Sequence, residues 1–187
     1  MFRELLAREF ASYRALSLEQ LDQLESHYEL LLRWNAKLNL TRIDTIEEAA
    51  RLHYCESMFL GERLPPGPLR IVDIGSGGGF PGIPIAILRP ECRITLVESH
   101  RRKAVFLREA VRNLTNVNVV TDRAENLRGE FEWLVSRAVN PRDVLKLRLA
   151  NNLAMLVGAN DAATFGNSEL LPWGEKRYLV FHVKHPC

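Results

Sequence analysis

With 187 residues, 47% of them hydrophobic, and 25 Lys plus Arg against 23 Asp plus Glu, the chain can build one α/β domain with an appendage. It carries too little positive charge to declare a dedicated nucleic-acid binder. No apolar run approaches the roughly 18 residues of a membrane span, and Met1 to Arg14 is charged throughout, unlike a signal peptide. A cytoplasmic protein with no membrane partner, acting as a monomer, is the expectation. Cys55, Cys92 and Cys187 are odd in number, far apart and without CxxC or His/Cys spacing, which argues against a metal site and for reduced, unpaired thiols.

The first third reads as helix. Phe2 to Tyr13 has a helical pattern, and Ser17-x-x-Gln20 has the spacing of a capping box. After it Leu18, Leu21, Leu24, Tyr28 and Leu31 recur every three or four residues, one apolar stripe that must pack on something. Thr45-x-x-Glu48 opens a further helix that runs through Met58 and Phe59 and stops before Pro65-Pro66-Gly67-Pro68. Residues 1–64 are therefore expected as an N-terminal helical appendage and residues 65–187 as the core.

Beyond the prolines the period changes. Arg70 to Ile74 predicts a strand, Ile83 to Leu88 a helix, Arg93 to Glu98 a strand, Arg101 to Leu114 a helix and Val117 to Thr121 a strand. Such alternation means parallel βαβ units and a Rossmann-like, doubly wound sheet. Trp133 to Ser136 follows as a fourth strand. Pro141 to Leu149 then reads as a helix capped by Asn140, and Leu153 to Val157 as a fifth strand. Arg177 to Val183 is a last strand, and Glu169 to Trp173 is a candidate neighbour that Pro172 confines to an edge.

The stretch Val72-Asp73-Ile74-Gly75-Ser76-Gly77-Gly78-Gly79-Phe80-Pro81-Gly82 carries the function. Glycine reaches positive φ and lets a ligand approach without meeting a Cβ, so this density marks a loop wrapped against something. Gly77-x-Gly79-x-x-Gly82 satisfies a dinucleotide fingerprint, while Gly75-x-Gly77-x-Gly79 with Asp73 at the strand end has the spacing of S-adenosylmethionine-dependent methyltransferases. An acidic group suits a sulfonium cation and repels a pyrophosphate, so Asp73 favours the methyl donor. An ordinary strand-to-helix turn capped by Asp73 is the plainer alternative. Ligands in open parallel sheets lie beyond the carboxyl ends of the strands, near the point where strand order reverses. That rule collects the glycine loop, Glu98, Asp122 to Glu125, Ser136 and Arg137. Glu98 is placed to accept from ribose hydroxyls of either nucleoside ligand and does not choose between them. Basic clusters at Arg101 to Lys103 and at Arg142 to Arg148 read equally as solvated helix faces or as phosphate contacts.

As a whole, Val72 to Pro84 resembles the signature loop of the small-subunit ribosomal RNA guanine-N7 methyltransferases, the RsmG or GidB family. Trp34-Asn35 with Asn39-Leu40-Thr41, Glu98-Ser99-x-x-Arg102-Lys103-x-x-Phe106-Leu107, and Ser136-Arg137-Ala138 agree with it, together spanning about residues 20 to 140. The resemblance implies a class I methyltransferase core that binds S-adenosylmethionine and methylates N7 of a guanine in 16S ribosomal RNA, free or in the small ribosomal subunit. It implies a donor site at Gly75, Phe80, Glu98, Ala124, Glu125 and Arg137, to which the loop reading adds Asp73, Gly77 and Gly79, and it places Arg177 near substrate. The family's Asp-Ser pair three positions after His53 is here Glu56-Ser57, and His53 is expected as a buried, hydrogen-bonded helix histidine. After the fifth strand the chain departs from the family pattern, with no lysine from 149 to 175. Methylation of another substrate, or a non-catalytic donor-binding RNA or assembly protein, are the alternatives.

Guanine N7 is a lone pair with no proton to remove, so its methylation needs no general base. Arg137 is the expected orienting group, since a guanidinium both stacks on a purine and donates in a fork. A structural salt bridge to Asp122 or Glu125 is its competing role. Amino methylation is disfavoured because Asn140-Pro141-Arg142-Asp143 breaks the usual Pro-Pro-aromatic pattern, and cytosine C5 chemistry because no cysteine is well placed.

Overall fold

The computed structural model describes residues 1–43, 45–165 and 167–183. The expectation for Cys187 lies outside them; Cys55 and Cys92 are buried and unpaired. Ser17 Oγ accepts from the Gln20 N–H at 3.1 Å while Gln20 Oε1 accepts from the Ser17 N–H at 3.0 Å, the reciprocal box that its spacing predicts. That cap starts α2 (Leu18–Leu38), which follows α1 (Phe2–Phe10). Nine residues make a marginal helix in water, so docking is what holds α1. Its Phe2, Leu5, Leu6 and Phe10 are buried, each contributing about 1.5–3 kcal/mol. Thr45 caps α3 (Ile46–Glu48) through the Glu48 N–H. The chain then passes through a π-helical stretch, Ala49–Cys55, into α4 (Glu56–Arg63). Such widened turns recur at functional sites.

The second part alternates as expected: β1 (Arg70–Ile74), α5 (Gly82–Leu88), β2 (Arg93–Val97), α6 (Arg101–Ala110), β3 (Val117–Val120), β4 (Trp133–Arg137), α7 (Pro141–Lys146) and β5 (Asn152–Gly158). A short α8 (Ala159–Ala162), β6 (Ser168–Leu170) and β7 (Arg177–Val183) complete it. The strands form one sheet in the order β3-β2-β1-β4-β5-β7-β6, with β7 antiparallel to β5. Strand order reverses between β1 and β4, so the crevice beyond their carboxyl ends is where a ligand belongs.

Several elements are shorter than the sequence suggests. α6 stops at Ala110, and Asn116 ties the loop before β3 by donating to Ala86 O and Cys92 O. α7 stops at Lys146 because Leu147 turns extended, which carries Leu147, Leu149 and Ala150 into the core. β6 ends at Leu170, leaving Pro172 outside the ladder.

Strand alternation sends Ile71, Leu96, Val135 and Leu156 to one face and Val72, Val97, Leu134 and Met155 to the other. The first face is covered by α5, α6 and the helices of residues 1–64, all within one apolar cluster. The change at Pro65 is thus a change of chain character rather than of packing. The β6–β7 turn is fastened to the same helices: the Trp173 ring lies 5.2 Å from Tyr13, 5.9 Å from Phe59 and 6.1 Å from Phe10, and Arg63 forks onto Glu169.

Candidate functional site

The glycine loop leaves β1 at the switch point and is pinned from below. The Gly75 and Ser76 N–H groups donate to Val97 O at 2.9 and 3.1 Å. Gly75, Gly77 and Gly79 have φ of 70°, 53° and 90°, the left-handed region that a Cβ disfavours. Space forbids side chains as well. A Cβ at Gly75 would lie 2.7 Å from Val139 Cγ2, and one at Gly79 would lie 2.5 Å from Ile83 Cδ1 and 3.1 Å from His27 Nε2. Gly79→Ala is expected to cost about 1–3 kcal/mol from backbone strain plus the displacement of Ile83 and His27, read as a lower midpoint in urea.

Asp73 differs from its expectation as a direct donor ligand. It is fully buried beneath the loop, where Oδ2 accepts from the Gly82 N–H at 3.0 Å and Oδ1 has no partner among the described residues. Burial raises its carboxyl to about 7 against the pull of that N–H. In this geometry it braces the loop, as in the plainer reading of the turn. Glu98 sits at the carboxyl end of β2 as expected. Its Oε2 accepts from the Gly77 N–H at 3.0 Å and Oε1 from the His100 N–H at 2.8 Å, and each oxygen keeps a lone pair for a further donor.

Two residues that drew no attention in the sequence support the loop from the helices. His27 is fully enclosed, with Nε2 3.0 Å from Gly78 O and Nδ1 2.8 Å from Tyr54 Oη. A carbonyl only accepts, so Nε2 carries the proton and Tyr54 donates to Nδ1. Burial lowers the imidazole to about 4, keeping it neutral. The available signal was a histidine on the apolar stripe of α2, between Leu24 and Leu31. His53 is buried as expected. Its Nε2 lies 2.6 Å from Thr41 Oγ1, in the segment that Asn35 orders by bonding Thr41 N and O. Phe80 stacks on the His53 ring at 4.5 Å and 16°, and burial with the nearby Arg137 and Arg177 charges lowers His53 to about 2.

Two cavities share Val139 as a wall, one of them bordered by Gly75 of the loop. One, about 260 Å³, is lined by Ile74, Gly75, Val97, Ala124 and Val139 together with the polar Ser99, Asp122, Arg123 and Glu125, a mixed wall with an apolar part. The other, about 440 Å³, opens between β4, β5 and β7, with Arg137, Asp161 and Arg177 on its walls. Arg137 has no ion pair among the described residues, so neither Asp122 nor Glu125 holds it; Asp122 instead accepts from Arg123 N and Asn126 Nδ2. Arg137 Nη1 is buried without a partner among the described residues, and its Cζ stands 5.9 Å from the centre of the Phe80 ring. Burial lowers this guanidinium to about 10, still cationic at neutral pH. Arg177 is seated on Glu56 by Nε to Oε1 and Nη2 to Oε2, both 2.5 Å. Glu56 therefore bonds Arg177, while His53 bonds Thr41. Of the residues expected in the site, Gly75, Ala124 and Glu125 line the smaller cavity and Arg137 and Arg177 the larger, Gly77 meets Glu98 through its N–H, and Gly79, Phe80 and Asp73 line neither cavity.

Residues 20–158 match the rRNA small subunit methyltransferase G family. The chain is 42% identical over 123 residues to the ribosomal RNA small subunit methyltransferase G of Chromobacterium violaceum, covering 64% of this chain and 58% of that protein. It is 33% identical over 167 residues to the protein of that name in Francisella tularensis subsp. novicida, covering 86% and 80%. The chain thus spans little more than half the length of the first of these relatives. A SAM-dependent methyltransferase of Aquifex aeolicus shares the fold with a TM-score of 0.61 at 11% identity, over 79% of this chain and 97% of that one. On the family match and the relatives together, the chain belongs to the rRNA small subunit methyltransferase G family.

Proposed function

We propose that this chain is an S-adenosylmethionine-dependent methyltransferase that acts, as a cytoplasmic monomer, on N7 of a guanine in 16S ribosomal RNA or the small ribosomal subunit. Residues 1–64 serve as the helical cap over a core of residues 65–187. The observation that carries the reading is that a cavity bordered by Gly75 of the glycine loop and a cavity bearing Arg137 and Arg177 share Val139 as a wall. The residues present suit the donor. Gly75 of the loop borders the smaller cavity, Glu98 has acceptor capacity for ribose hydroxyls, and Ala124 and Glu125 border the space for adenine.

When bound, the donor supplies an electrophilic methyl on cationic sulfur. The protein's own part is placement, which contributes on the order of 7–11 kcal/mol when two reactants are held in line. Guanine N7 asks for no proton removal, and the nearby imidazoles of His27 and His53 are both held neutral in buried hydrogen bonds. Arg137, cationic at working pH, is aimed to orient the base or an adjacent phosphate. The exposed Arg101, Arg102, Arg142, Lys146 and Arg148 supply phosphate contacts around the opening.

A non-catalytic donor-binding protein is the second reading, favoured by the departure from the family pattern after the fifth strand, where residues 149 to 175 contain no lysine. Calorimetry with S-adenosylmethionine and NAD, followed by labelled donor with purified small subunits, separates the cases. The expected result is binding of the methyl donor, no binding of NAD, and label recovered as 7-methylguanine from 16S RNA but not from free guanosine. Binding without transfer selects the second reading, and NAD binding in place of the donor overturns both.

A further inference from the structure

Glu56 opens α4, one residue beyond the π-helical stretch, and is completely buried. An ionised carboxylate is stable there only if paired and hydrogen-bonded. Both its oxygens are taken by Arg177, from the far end of the chain. Arg177 is the first residue of β7, remains 32% exposed, and lines the larger cavity. With Nε and Nη2 on Glu56, its Nη1 makes no hydrogen bond among the described residues and is available to another acceptor.

A second feature was built around the same pair. Gly174 lies in the turn before β7, where a Cβ would stand 3.1 Å from Glu56 Oε1 and 3.1 Å from Arg177 Cγ, and would overlap Arg177 Cδ. Arg177 cannot swing aside without leaving Glu56, so the absence of a side chain at 174 is a condition of the pairing. A third feature is electrostatic. The Arg177 charge disfavours that of Arg137, and the Glu56 charge offsets this.

We propose that Glu56, with Gly174 opposite it, is the positioning residue of the acceptor cavity, fixing Arg177 so that its remaining edge and Arg137 present donors to one acceptor group of the incoming RNA. The proposal rests on the methyl-acceptor reading of that cavity. A guanidinium on a long flexible stem loses much side-chain freedom when it binds. Seated in advance by a fork onto a buried carboxylate, Arg177 has already lost it, and its free edge points in one direction. The appendage, which supplies Glu56, thereby takes part in the site although it contributes little to the cavity wall.

The test uses the full chain, purified small subunits and labelled S-adenosylmethionine, with the competent fraction of each variant counted by donor calorimetry. Glu56→Gln and Gly174→Ala are each expected to raise the KM for subunits about 10- to 100-fold with donor affinity changed less than about twofold. Glu56→Asp should recover part of the loss, and the double variant should be no worse than the poorer single one. Arg177→Lys, which keeps an ammonium on Glu56 and so protects the fold, should show the same KM rise at a near-unchanged melting temperature. Unchanged kcat/KM per competent site in these variants, or additive losses in the double variant, overturns the proposal and leaves a purely structural pair. Failure of the wild-type chain to methylate subunits overturns the acceptor-site reading and this proposal with it; transfer that is indifferent to the variants overturns this proposal alone.

Discussion

Arg137→Ala is expected to lose methyl transfer by about 100- to 1,000-fold, the cost of removing one preorganised donor from a reacting centre, while binding S-adenosylmethionine within about threefold of wild type. Arg137 ends β4, paired with Leu156 of β5, next to the strand that leads into the glycine loop. Its Nη1 is buried with no partner among the described residues, and such a group is expensive to keep, about 1–3 kcal/mol. The variant should therefore melt no lower than wild type and is expected to melt higher. Lost activity with retained stability marks a group held for function at the expense of the fold. Single-turnover rates with saturating small subunits, donor calorimetry and thermal melts read the three quantities separately. Normal turnover removes Arg137 from the mechanism; an equal loss of donor affinity moves it to the donor half of the site.

What could be read from the residues alone was whatever local chemistry dictates. Ser17, Thr45 and Asn140 announce their caps because the acceptor and the N–H it serves lie within one turn. The glycine loop announced itself because only glycine tolerates those φ values against Val139 and Ile83. Contacts between distant segments were not legible. Nothing near Glu56 in the chain points to Arg177, and nothing near His27 points to Gly78. Asp73 marks the boundary between the two cases. Its position beside the loop was evident, but whether the carboxylate faced the ligand or the underside of the loop depended on the path taken through Gly82. Strand and helix lengths failed where side chains had buried work elsewhere, as with Leu147, which leaves α7 to join the second core.

The helices of residues 1–64 reach the glycine loop and β7 by two routes. His27 and Tyr54 hold Gly78 from α2 and the π-helical stretch, and Glu56 holds Arg177 from α4. Phe80 links them, since it packs on His53 at 4.5 Å, Tyr54 at 5.1 Å and His27 at 5.3 Å. A helical addition that merely covered the sheet would need only apolar residues on that face. Buried polar groups with single, directional partners are costly and serve to fix one arrangement of the loop.

Asp73→Asn is expected to stabilise the protein increasingly as pH rises from about 4 to about 7, by up to about 4 kcal/mol at pH 8, while leaving donor affinity intact. The sign follows from where each proton is held. Burial raises Asp73 from 3.8 to about 7, so its contribution to stability is full below the unfolded value and is lost as pH climbs through the folded one. His27 and His53 act the other way, lowered from 6.5 to about 4 and about 2. Their contribution is full above 6.5 and fades as pH falls. Between 6.5 and 4 the unfolded chain binds two protons that the folded histidines refuse, and the folded chain binds one at Asp73 that the unfolded carboxylate refuses. These three groups together should therefore cost about 1.4 kcal/mol per unit of acidification, and about twice that in Asp73→Asn, where the opposing carboxyl is gone. Urea midpoints of the variant relative to wild type, taken across pH 4 to 8, isolate the term from other carboxylates. An asparagine Oδ1 still accepts from the Gly82 N–H, so a brace survives the substitution, whereas a charge that recognises the sulfonium does not. Donor affinity reduced tenfold or more in a variant of normal stability returns Asp73 to direct contact with the donor; retained affinity leaves it beneath the loop.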